Sequence, residues 1–106
     1  MEFEFFISNK KTKLEVKPCK SVISKFCGLM FRKQSPPLLF IFNNEKTINI
    51  HSLFCRPFVA IWLDKDKKPT KIVEIKPWKT NISGKGIYLL EVLEDDSSYY
   101  KIMKRL

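Results

Sequence analysis

Apolar and polar residues alternate from the first positions of the chain: Glu2, Phe3, Glu4, Phe5. A period of two marks a strand with one face in a core and one in water, so residues 2–7 predict a half-buried strand with Phe3, Phe5 and Ile7 inward. Asn9-Lys10-Lys11 reads as a polar turn, and Lys13-Leu14-Glu15-Val16-Lys17 alternates again. Residues 2–17 therefore predict a hairpin that Pro18 ends. Ser21 can cap a short helix over 21–28, because its hydroxyl can accept an orphan amide of the first turn. Val22, Ile23, Phe26 and Cys27 follow at helical spacing. Gly28 stands where a helix end favours a left-handed residue.

Ser35-Pro36-Pro37 is a break, too stiff for helix and short of two amide donors. Leu38 to Phe42 is a continuous apolar run that suits a strand buried on both faces. Asn43 to Lys46 reads as a turn. Thr47 to Phe54 then alternates, with Ile48, Ile50, Ser52 and Phe54 on one face and Thr47, Asn49, His51 and Leu53 on the other. Phe58 to Leu63 is another apolar strand, Asp64 to Pro69 a charged turn, and Lys71 to Lys76 the return strand. Residues 77–86 read as a long loop and Ile87 to Leu93 as the last strand. Tyr99, Ile102, Met103 and Leu106 have helical spacing, with Ser97 or Ser98 as cap.

The sum is a mainly β (β-rich α+β) fold of about seven strands, one short helix near 21–28 and a C-terminal helix. Hairpin-like links make the sheet mostly antiparallel, bent and partly barrel-like. At 106 residues one domain spanning 1–106 is expected.

Composition narrows the classes. No stretch reaches the roughly 18 apolar residues of a membrane span. The start carries acids where a signal peptide carries basic residues. Cys19, Cys27 and Cys55 are an odd number without paired spacing, which argues against a disulfide framework and for a reducing, cytoplasmic setting. The net charge is +9, but only three of the 20 basic residues are Arg. Bidentate phosphate and guanine recognition favours Arg, so nucleic-acid binding through the Lys-rich surface stands as a weak alternative.

Several short motifs follow one another in order: Gly28-Leu29-Met30-Phe31-Arg32, Leu38-Leu39-Phe40, Ile50-His51 with Phe54 and Arg56, Leu63-Asp64-Lys65-Asp66, Val73 with Lys76-Pro77-Trp78, and Tyr88, Leu90 and Glu91. Residues 21–93 thereby resemble the domain of unknown function family 192, also called uncharacterised protein family 0127, and most closely its archaeal branch. The resemblance implies a compact, mostly β domain with a short helix before the Gly-Leu-Met box, and no assigned reaction. The chain departs from the family pattern where an aspartate follows the proline: Val59 or Ala60 stands there. Ser52 stands where many relatives carry Met, and 97–106 replaces a glycine-containing tail. Were that aspartate catalytic in the family, this chain would be inactive.

Four residues are candidate ligand-binding positions: His51, Arg56, Trp78 and Arg32. Arg offers a planar fork for anions, and Glu91, Asp64 or Glu74 could pair with either Arg32 or Arg56. Trp78 offers a rigid stacking face or a core plug. His51 and Cys55 would lie on one face of a regular strand, but roughly 13 Å apart, so a catalytic pair needs a bend at Arg56-Pro57. The cysteines lack the close pairs of a structural zinc site. Lys68, Pro69 and Ile75 replace the residues a calcium loop requires after Asp64 and Asp66. No metal and no cofactor is expected.

The residues thus point to a non-enzymatic binding module for a small anionic or carbohydrate-like ligand or a peptide. Weak nucleic-acid binding and an enzyme using His51 are the alternatives. No membrane partner is expected, and nothing in the residues decides between monomer and homodimer.

Overall fold

The computed structural model describes residues 1–19, 29 and 32–106. The helix expected at 21–28, with Cys27 and Gly28, and Met30-Phe31 of the Gly-Leu-Met box lie outside the described residues. Among the described residues there are seven strands and one helix: β1 (Glu2–Ile7), β2 (Lys10–Glu15), β3 (Lys17–Cys19), β4 (Leu38–Ile50), β5 (Phe58–Leu63), β6 (Pro69–Ile75), β7 (Ile82–Leu93) and α1 (Ser97–Met103). None of the described helix is long and apolar enough to cross a membrane.

The first two strands form the expected hairpin, with Phe3 opposite Leu14 and Ile7 opposite Lys10. Ser8 and Asn9 turn it, both at positive φ (50° and 65°). That mirror-image turn matches the right-handed twist of the strands it joins. The remaining strands form a sheet in the order β3-β4-β7-β5-β6. All its pairings are antiparallel except β3 with β4. The sheet is open, with β3 and β6 at its edges, rather than a closed barrel.

The strand count matches expectation, but two strands differ in kind. Pro18 does not end the extended chain: Lys17–Cys19 continues as an edge strand, where a proline's missing donor costs no ladder bond. Asn43 to Lys46 is not a turn either. Leu38 to Ile50 is one strand, and between the pairs Ile41↔Tyr88 and Lys46↔Gly86 it advances five residues while β7 moves two. The polar residues are a bulge that bends the strand without reversing it.

The expected loop 77–86 correspondingly shortens, because Ile82 to Gly86 pairs with Lys46 to Ile50. Its glycines resemble loop residues for a different reason. A Cβ on Gly84 would stand 2.6 Å from the indole of Trp62, and one on Gly86 would stand 2.5 Å from the Leu63 carbonyl oxygen. Both glycines permit close approach within the sheet.

Each face of the five-stranded sheet carries a core. The hairpin and α1 cover one face, where Phe3, Phe5, Ile7 and Ile102 pack on Leu39, Ile61, Leu90 and Val92. The other face gathers Leu38, Phe40, Phe58, Trp62, Leu89 and Leu93 with Cys19, Cys55 and Leu29. Every residue of β5 is buried, as its unbroken apolar run predicts.

The C-terminal helix forms as expected. Its cap is Asp96, whose carboxylate accepts the Ser98 amide at 2.9 Å, rather than either serine. Lys101 and Arg105 donate to the carbonyls of Lys13 and Lys11, tying the helix to the hairpin.

Candidate functional site

The chain between β4 and β5 and the chain between β6 and β7 turn against each other. Ser52 joins them. It is fully buried, and its hydroxyl donates to the Lys76 carbonyl at 2.6 Å and accepts the Lys79 amide at 2.7 Å. Its own amide donates to the Lys79 carbonyl, and its carbonyl accepts the amides of Cys55 and Trp78. Ser52, which alternation places on one face with Ile48 and Ile50, is thus buried, and its polar groups are satisfied by backbone groups. Ser52→Ala leaves one buried amide and one carbonyl without that partner. We expect a loss of about 2 kcal/mol, read by urea denaturation. An unchanged midpoint would show that the hydroxyl holds nothing.

Around this staple stand His51, Phe54 and Trp78. The expected strand ends at Ile50, so His51 and Cys55 do not share a regular strand face. The Nδ1 of His51 accepts the Leu53 amide at 3.1 Å within the turn. Phe54 and Trp78 meet edge to face, with ring centroids 4.8 Å apart. Trp78 is 62% exposed, so it plugs no core. Phe54, grouped by alternation with Ile48, Ile50 and Ser52, is 49% exposed while Ser52 is buried, because the strand has ended at Ile50.

Arg56 stands elsewhere. Its Nε donates to one oxygen of Asp95 at 3.0 Å, and a terminal nitrogen forms an ion pair with the same oxygen at 2.9 Å. None of the three carboxylates expected for it is the partner. Asp64 accepts the amides of Asp66 and Lys68 in its hairpin turn, Glu74 accepts the Tyr99 hydroxyl, and Glu91 is buried in the sheet. Hydrogen bonding to Glu74 is the main reason the Tyr99 hydroxyl is pushed up to about 12.

Arg56 and Asp95 line a cavity of about 790 Å³ together with Lys33, Ser35, Leu93 and Ser97. Of the four candidate residues, this cavity takes in Arg56 alone. Arg32 lies close enough to Cys19 for its charge to act on that thiol.

In the sequence, Glu91 carries a family match and a possible Arg partner, but no site. It lies on the central strand, across from Leu38 on β4 and Ala60 on β5. Burial pushes its carboxyl up to about 8, so it is mostly protonated at neutral pH. Burial, and then the charge of Glu91, raise the Cys55 thiol to about 11. At neutral pH such a thiol is held almost wholly in its protonated form, the less nucleophilic one. The sequence offers a weak signal for Glu91, an acid in the run Tyr88 to Leu93 that otherwise alternates no polar residue.

Fold and site define a β-rich domain with a bent open sheet and a small polar cavity at one end of its second core. The chain is 36% identical to a UPF0127 protein of Pyrococcus furiosus over 66% of its own length and 63% of that protein's. It is 33% identical to a UPF0127 protein of Pyrococcus horikoshii over 73% of its own length and 70% of that protein's. This chain belongs to the UPF0127 family, and its similarity to the two Pyrococcus proteins is archaeal. The matched segment spans less than two thirds of the P. furiosus protein. No family model matches the chain. A crystal structure of a protein of unknown function from Novosphingobium aromaticivorans shares the fold, with a TM-score of 0.77 over 96% of this chain and 77% of that one, at 14% identity.

Proposed function

We propose that this protein is a non-enzymatic binding module, and that a small anionic or carbohydrate-like ligand occupies the cavity at Arg56. The observation that carries the proposal is the state of Arg56. Arg56 lines a cavity of small-molecule size, yet among the described residues it is held only by Asp95, and both side chains are about half exposed. An exposed pair of this kind contributes only about 0–1 kcal/mol. A ligand carboxylate or phosphate can therefore take Arg56 from Asp95 at little cost. Lys33 supplies a second cation, the other lining carboxylate, Asp96, is engaged by the Ser98 amide, and Ser97 supplies a hydroxyl suited to polyol or acid groups. The buried thiols of Cys19 and Cys55 are free, which supports a reducing, cytoplasmic setting.

Thermal-shift titration with phosphate, dicarboxylates, sugar phosphates and neutral sugars tests the proposal. A ligand that binds only the folded chain raises the melting temperature with concentration. Arg56→Ala is expected to weaken the affinity for anionic ligands by about 10- to 150-fold, since a charge-assisted bond contributes roughly 1.5–3 kcal/mol. It should leave stability within about 1 kcal/mol. An equal response from the variant, or none from any ligand class, would overturn the proposal.

A further inference from the structure

Trp78 and the cavity at Arg56 are separate places, since Trp78 is not among the cavity's lining residues. We infer that the turn carrying Trp78 is a second binding site, which takes a base and its neighbouring phosphates in single-stranded nucleic acid.

The first support is backbone strain. Phe54 and Trp78 both adopt left-handed conformations, with φ of 59° and 66°. For bulky residues this region is sterically costly, and it persists only where surrounding structure enforces it. Here the enforcing structure is Ser52, which bonds the amide of Trp78 and both flanking lysine residues' backbones. The outcome is an indole held outward on a fixed turn. Its edge-to-face contact with Phe54 contributes only modestly, and most of the indole is left to water.

The second support is charge. Trp78 lies in Lys76-Pro77-Trp78-Lys79, and both lysines are exposed. From Lys46 to Leu63 and from Ile75 to Leu90 the chain has no Asp or Glu. The four acids at the borders are Glu45 in the β4 bulge, Asp64, which is engaged by its own turn, Glu74, which is bonded to Tyr99, and Glu91, which is buried in the sheet. An aromatic face between ammonium groups matches a base between phosphates, and such stacking is tolerant of sequence. A neutral sugar could stack on the indole but would leave the ammonium groups without a partner. Lysine serves this role as a point charge, with no need for the bidentate fork of arginine.

The two tryptophans make the site observable. Trp62 is fully buried and Trp78 is exposed, so quenching by a stacked base reports on Trp78. Labelled oligodeoxythymidine at low salt is the probe, followed by anisotropy and by tryptophan quenching. Wild-type protein is expected to bind saturably. Trp78→Ala should weaken binding roughly tenfold, the scale of one lost base–aromatic stack. Lys76→Glu with Lys79→Glu should weaken it further and reduce the slope of log affinity against log salt by about 1.4.

Heparin, a polyanion without bases, is the control, and Trp78→Ala should leave its binding unchanged. No saturable binding of the oligonucleotide, or equal affinity for it in wild type and Trp78→Ala, overturns the inference. Arg56→Ala should bind the oligonucleotide as wild type does, which separates this site from the cavity.

Discussion

Stability is expected to fall steeply between about pH 5 and pH 8, and Glu91→Gln is expected to remove most of that fall. In the unfolded chain the carboxyl ionises near its ordinary value of 4.5, whereas burial in the sheet raises it to about 8. Below both values each state holds the proton and the group contributes nothing to the pH dependence. Between them the unfolded chain gives up its proton while the folded protein keeps it, so rising pH favours unfolding by up to about 1.4 kcal/mol per pH unit. Above pH 8 both states are ionised and the loss levels off, on the order of 4–5 kcal/mol. That is a large share of the roughly 5–15 kcal/mol typical of a domain. Urea midpoints measured across this range for wild type and Glu91→Gln isolate the residue, because other titrating groups are common to both. The curves should lie within a constant offset near pH 5 and diverge in favour of the glutamine variant by pH 9. Parallel curves would mean that Glu91 reaches water or a partner in solution.

Trp62→Ala is expected to cost about 3–5 kcal/mol, the range for removing a large aromatic side chain from a core. Trp62 is fully buried in β5 and packs with Phe40, Ile48, Phe58 and Leu89. Its indole nitrogen donates to the Ile48 carbonyl at 3.1 Å, joining the second half of β4 to the ring. Gly84 gives the ring its space by lacking a Cβ. The variant therefore loses transfer energy, contacts and a hydrogen bond together. The bond's share is read from Trp62→Phe, expected to cost less, with equilibrium denaturation as the measurement. A loss under about 1 kcal/mol would show that the neighbouring side chains collapse into the space.

Glu91 and Trp62 also show how far the residues alone reach. The run Phe58 to Leu63 is legible as a buried strand, and Trp62 belongs to it. The partner of its indole nitrogen is not legible, because Ile48 meets it only through strand order. Likewise an acid in β7 is visible in the chain, but its neighbours Leu38 and Ala60 come from strands far apart in sequence. The polar cluster Asn43 to Lys46 announces an interruption without saying whether the chain reverses. Only the pairing of Lys46–Ile50 with Ile82–Gly86 makes it a bulge.

The candidate residues divide in the same way. Arg56 stands out in a Lys-rich chain, yet Asp95 as its partner follows from the turn after β7 lying beside the turn before β5. Trp78 is conspicuous in the chain, but its exposure, strain and meeting with Phe54 depend on Ser52, which in the sequence is only a serine sharing a face with Ile48 and Ile50.

By itself the sequence determined the β-rich class, the hairpin, most strand positions, the C-terminal helix and the family. These rest on local periodicity, turn chemistry and ordered motifs, which act between near neighbours. Tertiary structure alone decided which turns meet, which carboxyl is starved of water and which aromatic is left in it. Those outcomes depend on strand order and register, which bring distant residues together and carry no signature at any single position.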